Sequence, residues 1–235
     1  MDKSLSLLSV LPLADWAALA VFFSAWLAYA TFARRRARVE GSLLAATNAE
    51  RRRWMLQATY RENRVVDGVV VQNLSSSPSF FASTTILIIG GLLAVLGTTE
   101  KATELVREIP FAARTSVLVF DLKLVLLTAI FVYAFFRFTW SLRQYTFGAL
   151  LVAAAPDAQQ FADQGLSREA FAERAGRVMG LAAETFNDGL RAYYMSFAAT
   201  AWFVSPWAFM VATAGVIWIL YQREFRSEVL EVLNG

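Results

Sequence analysis

The sequence predicts an all-α fold: an integral membrane bundle of four transmembrane helices with helical cytoplasmic extensions, as one domain over residues 1–235. Three observations carry the prediction. Apolar and aromatic residues make up 57% of the chain, above the roughly 45–50% of an ordinary soluble domain. Four stretches are long and apolar enough to cross a hydrocarbon core, which takes about 20 helical residues. Between them, the basic residues gather in alternate connecting segments.

The first expected span is 13–33. The only basic residue before it is Lys3, and Arg34-Arg35-Arg36 follows at once. That is a stop-transfer flank rather than a cleaved signal peptide. Next comes an expected amphipathic helix over 48–73, in which Trp54, Met55, Ala58, Val65, Val66 and Val69 recur at helical spacing. Ser75-Ser76-Ser77-Pro78 is expected to stop it. The second span, 80–97, is short, and Thr98-Thr99-Glu100-Lys101 ends it. It carries Gly90, Ala94 and Gly97 on one stripe, with Ser83 nearly on the same line. A small-xxx-small pattern lets two helix backbones approach closely, so this helix is expected at the centre of the protomer or at an oligomer axis.

The third span, 117–138, meets no breaker until Pro156. A helix of that length is about 58 Å long, against a hydrocarbon core of about 30 Å. Residues 139–155 therefore extend into the cytoplasm. After a polar turn, Ser167 reads as the N-cap of a further helix over 167–192. It leads into the fourth span, 197–221, where Pro206 leaves the Trp202 carbonyl without its helical donor. Trp16, Trp140, Trp218 and Tyr221 fall near the expected interfaces, as aromatic belts do.

Charge sets the direction. Residues 34–79 hold nine Arg and residues 139–196 hold five, against six basic residues in the two tails and the 98–116 loop. Both basic segments are expected inside, with both termini extracytoplasmic, in a bacterial inner membrane. The arginines suit anionic lipid head groups. Nucleic acid is not an expected partner, because no stacking platform or groove-reading motif is interleaved with them.

The chain has no Cys and no His. That excludes His-ligated haem, Cys-ligated clusters, the usual zinc sites, Cys nucleophiles and a Ser–His–Asp triad. No cofactor or metal is expected. Ionisable groups inside a span are costly and point to function. Asp121 and Lys123 are two apart on the third span, so they face different ways and each needs a separate partner. Lys123 can snorkel outward, with Asp121 bound to it or to Arg114. Arg137 can snorkel to phosphate at the inner edge. Glu184, Asp188 and Arg191 share a helix face and could form an ion-pair row.

The block "RENRVVDGVVVQNLSSSPSFFASTTILIIGG" at 61–91 resembles the domain-of-unknown-function family numbered 599, bacterial membrane proteins of about four spans. "DLKLVLL", "FRFTWSLRQYTF" and "RAYYMSFAATAWFVSPWAF" are similar to it as well, so the resemblance covers nearly the whole chain. It implies architecture and no established chemistry. On that match Arg61, Asn63, Arg64, Asp67, Ser83, Thr84, Asp121, Lys123, Arg143, Tyr145 and Arg191 are the polar positions of interest. A shared cause would be a polar network at the cytoplasmic mouth, with Asp67 and Arg64 facing Arg143, Tyr145 and Arg191. Three functions are compatible with these features. The leading one is a non-enzymatic oligomeric protein or subunit of a membrane complex. The others are a small channel or transporter using Asp121 and Lys123, and a lipid-handling enzyme.

Overall fold

Helix α1, Leu13–Arg36, starts behind Pro12, whose carbonyl accepts from the Asp15 amide at 3.0 Å. It belongs to a computed structural model that describes residues 11–36, 41–98, 116–163 and 165–234. Every element among the described residues is helical, with no strand. The rest of the 98–116 loop and the N-terminal tail, including Lys3, Glu100, Lys101 and Arg114, lie outside the described residues.

Helix α2, Leu43–Ala58, is capped by Ser42, whose side chain accepts from the Ala45 amide at 3.1 Å. The expected helix over 48–73 is corrected here: it breaks after Ala58 and resumes as α3, Val65–Leu96. The break contains neither Gly nor Pro. It is held by side chains: Arg64 Nε donates to the Ala58 carbonyl at 3.2 Å, and Arg168 binds the Thr59 carbonyl. Asn63 Oδ1 then caps α3 by accepting from the Val65 amide at 2.9 Å.

The second correction concerns the serine-rich stop. Helix α3 runs straight through Ser75–Pro78. Pro78 removes one donor, but Ser75 and Ser76 hydroxyls bond back to the Gln72 and Asn73 carbonyls at 2.8 and 2.7 Å. Both bonds stay within the helix, so the serines do not divert the chain from it.

Helix α4, Val117–Ala153, has the expected length. A short α5, Ala158–Asp163, leads to α6, Arg168–Thr200, where Ser167 Oγ accepts from the Ala170 amide at 3.0 Å, as an N-cap does. The expected span 197–221 is not one helix. A 3-10 turn, Ala201–Phe203, interrupts it, and Pro206 opens α7, Pro206–Phe225. Helix α8, Glu228–Asn234, ends the described chain. Three helices, α1, α3 and α4, are long and apolar enough to cross a membrane, which suggests a membrane protein.

The chain divides into two compact units. The first comprises Met1–Ala33, Thr85–Ala134 and Leu190–Gln222. Its core is aromatic: Phe22 packs on Phe209 at 4.9 Å, Trp202 stacks on Phe209 at 5.4 Å, and Phe131 meets Tyr193 edge-on at 5.2 Å. These contacts also fix helix direction. Along α1, Asp15, Phe22 and Phe32 meet Trp202, Phe209 and Tyr221 in the same order, so α7 runs parallel to α1. Helix α6 runs the other way: Arg191 lies over Tyr29, while Trp202 meets Asp15. The chain therefore reverses at the 3-10 turn.

The second unit comprises Arg34–Thr84, Phe135–Gly189 and Arg223–Gly235. Met55, Val71, Tyr145, Val152, Phe161, Phe171 and Met179 form its core. Helix α6 supplies the closest backbone approaches. A Cβ at Gly176 would stand 2.9 Å from Arg52 Cα, and one at Gly180 would stand 2.9 Å from Asn48 Oδ1. Glycine at both positions lets α2 and α6 touch. A carboxylate oxygen of Glu224 accepts from the Leu44 amide at 3.1 Å, at the start of α2.

Candidate functional site

In the first unit, the polar chemistry centres on the turn before Pro206. Proline has no N–H, so the Trp202 carbonyl has no helical donor. Lys123 of α4 supplies one, with Nζ at 2.9 Å. Its ammonium also lies 5.4 Å from the Trp202 ring and 5.8 Å from the Phe203 ring, within cation–π range. The indole N–H of Trp202 donates to Asp15 Oδ1 at 2.6 Å. One tryptophan thus ties α1, α4 and the turn together, and Asp15 and Lys123 are both buried around it.

Asp121 lies apart from Lys123's partners, as their spacing requires. It is half-buried, and its Oδ1 is buried with no hydrogen-bond partner among the described residues. Arg114, one expected partner, falls outside those residues. Ser83 is exposed and Thr84 half-buried. The buried hydroxyl is the next one, Thr85, which lies 2.6 Å from the Tyr193 hydroxyl. Gly90 and Ala94 are exposed on α3, as is Gly97 directly after it, with open space around Gly90.

In the second unit, the residues expected to face one another are shared among separate contacts. Asp67 is fully buried and accepts from Trp54 Nε1 at 2.7 Å and from Arg61. Arg64 joins the ends of two helices: besides the Ala58 carbonyl it donates to Ala155 at 2.6 Å and to Pro156. Arg143 lies over the Phe147 ring at 5.8 Å. Tyr145 is buried in the core near Arg51, whose guanidinium is pushed below its ordinary value by burial. Arg191 belongs to the first unit. The hydrogen bonds described for Asp67 and Arg64 thus go to groups other than Arg143 and Tyr145.

A different acid is the junction. Asp188 Oδ2 accepts from Arg34 at 2.8 Å and from Arg137. Asp188 is 3% exposed, so two guanidiniums offset one desolvated carboxylate. Sequence reasoning took Arg34 as a stop-transfer charge and Arg137 as a snorkelling one. It also passed over Asp15, although an acid two residues into an apolar run was a visible signal. Gly176-x-x-x-Gly180 was another. Among the described residues no group of Asp and Glu could hold a metal ion.

A model of the family described as "Protein of unknown function, DUF599" matches residues 17–229. The chain belongs to the DUF599 family. No curated protein and no solved structure matches it. In this DUF599 chain the match takes in Lys123, Trp202, Pro206 and Asp188, while Asp15 stands just before it. The block 61–91 forms the end of the α2–α3 break and most of α3.

Proposed function

We propose that the chain is a five-pass protein of the bacterial inner membrane that works without catalysis, as a homo-oligomer or as a subunit of a larger membrane complex. The observation that carries the assembly is the surface of α3. Its apolar stretch is only 11% buried, and its small residues Gly90 and Ala94, with Gly97 directly after its end, are exposed. Apolar surface alone suits lipid, but small residues on one line suit a second helix. The buried charges support the same reading, because Lys123, Asp15, Asp67 and Asp188 each make contacts that join helices.

Size measurement in native-like lipid tests the assembly. An oligomer, or a stoichiometric co-purifying protein, is expected, and Gly90→Leu with Ala94→Leu is expected to dissociate it. A strict monomer in that setting would rule this reading out.

Helix direction supports five passes in place of four. Helix α7 parallels α1, and α6 opposes it, so the run once expected as the fourth span makes a hairpin. Five passes put the C-terminus in the cytoplasm, opposite an extracytoplasmic N-terminus. This adds Arg223 and Arg226 to the cytoplasmic side: sixteen basic residues stand inside and four outside, a stronger bias under the positive-inside rule. The chain has no cysteine, so single introduced thiols report directly. An impermeant maleimide on intact cells is expected to label Ser4→Cys and to spare Val232→Cys until the cells are opened. Labelling of both from outside restores the arrangement with two outer termini.

The buried, unpartnered oxygen of Asp121 favours a second reading, a small channel or transporter whose path passes Asp121 and Lys123. Flux through reconstituted protein that is unchanged in Asp121→Asn and Lys123→Ala variants would remove it.

A further inference from the structure

The second unit holds a cleft of about 1260 Å³ between the arginine-rich face of α2 and one face of α6. Gly176 and Gly180 stand at its base, where the two helices touch. Four arginines line it, Arg34, Arg52, Arg53 and Arg177, together with Glu50, Glu173 and Glu184. Most of these charges have partners. Arg34 binds Asp188, Arg53 binds Glu50 at 2.8 Å, and Arg52 stands 3.6 Å from Glu173. The last two pairs are exposed on both sides, so they are weak and open readily to another ligand.

Two lining charges make no ion pair or hydrogen bond among the described residues: Arg177 and Glu184. They are seven residues apart on α6, hence on one face and about 10 Å apart along the axis. A bare anion would satisfy Arg177 and be repelled by Glu184. A bare cation would meet the reverse. A ligand carrying both charges a few ångströms apart satisfies both. Apolar Leu181 and Leu233 border the same cleft, and Arg34 directly follows the apolar run that ends at Ala33, the level at which head groups lie.

We propose that this cleft binds a zwitterionic phosphate–ammonium group, the chemistry of phosphoethanolamine. Arg177, aided by Arg52, holds the phosphate through paired N–H donors, and Glu184 accepts from the primary ammonium. The group could reach the cleft on a phospholipid, which rests on the membrane reading above, or as a free ester, which does not.

The test uses the full chain in nanodiscs, with lipid binding followed by native mass spectrometry and thermal shift. Phosphatidylethanolamine is expected to bind in preference to phosphatidylcholine, whose quaternary ammonium has no N–H to donate, and to phosphatidylglycerol, which has no ammonium. Arg177→Gln is expected to weaken binding about tenfold or more, the scale of a lost hydrogen bond to a charged group. Glu184→Gln is expected to erase the preference over phosphatidylglycerol while keeping phosphate binding. Arg174→Gln, outside the cleft, is expected to change nothing.

In detergent without lipid, O-phosphoethanolamine that stabilises the wild type, and not Arg177→Gln, identifies the free ester as the source. Equal binding of the three lipids with no effect of the free ester overturns the proposal. So does a preference that survives both substitutions in folded, monodisperse protein. Neither result bears on the oligomeric state, which is measured separately.

Discussion

Lys123 donates to the carbonyl of Trp202, 79 residues away in the chain, at 2.9 Å. The contact answers a deficit created four residues after the tryptophan. Pro206 begins α7 well, because its ring sets the backbone for a first helical turn and its missing N–H is not needed there. The same missing N–H leaves a carbonyl open in the 3-10 turn that follows α6. In an apolar setting an open carbonyl costs more than it would in water. The ammonium and the carbonyl therefore each remove the other's desolvation cost, and the two aromatic rings cover what is left.

Replacing Lys123 with Met keeps the volume and removes the donor. The expected loss is about 1–3 kcal/mol, the cost of stranding a buried acceptor, read as reduced thermal or denaturant stability in detergent. A double-mutant cycle with Pro206→Ala tests the cause. Alanine restores an N–H beside the same carbonyl, so Lys123→Met is expected to cost less in that background. Strict additivity of the two substitutions would show that Lys123 serves some purpose other than capping Trp202.

The parts of this fold that sequence reveals are those set by neighbours in the chain. Helices α1 and α4 were legible because an apolar run and its breakers are local, and Ser167 was legible as a cap for the same reason. The α2–α3 break was not, because Arg64 and Arg168 hold it from outside the helix. Pro78 misled in the opposite direction: proline removes one helical donor but the helix continues on both sides of it. The hairpin of α6 and α7 escaped hydropathy for a further reason. Ala192, Met195, Ala198 and Ala199 of α6 are buried by protein, and a helix covered by other helices need not carry a long apolar run. Lys123 was legible as a costly residue, but Asp15 was passed over, and so was the tryptophan that both of them meet.

Gly176 is expected to be less replaceable than Gly180 or Gly215. A methyl group at Gly176 would stand 2.9 Å from the backbone of Arg52, and backbone cannot swing aside as a side chain can. Gly176→Ala is expected to cost about 1–3 kcal/mol by forcing α2 and α6 apart. Gly180→Ala meets the Asn48 side chain and is expected to cost less. Gly215→Ala, in open space on α7, is expected to be neutral or stabilising, since alanine is the better helix former. Thermal shifts of the three variants rank them; a Gly176→Ala protein as stable as Gly215→Ala would mean that α2 and α6 do not touch as described.

The Arg34–Asp188–Arg137 junction makes an ordered prediction. Asp188 is 3% exposed on its side chain, Arg137 27% and Arg34 47%. Removing the acid leaves two guanidiniums facing a site that no longer neutralises them, so Asp188→Ala is expected to cost about 3–5 kcal/mol, as breaking a buried pair does. Arg137→Gln removes the more buried of the two donors and is expected to cost about 1–3 kcal/mol. Arg34→Gln removes a half-exposed donor that water can replace, so it is expected to cost about 1 kcal/mol or less. Denaturant titration of the three variants gives the order. If Arg34→Gln costs more than Arg137→Gln, the acid is held chiefly from α1 rather than from α4, and burial does not set the strength of this junction.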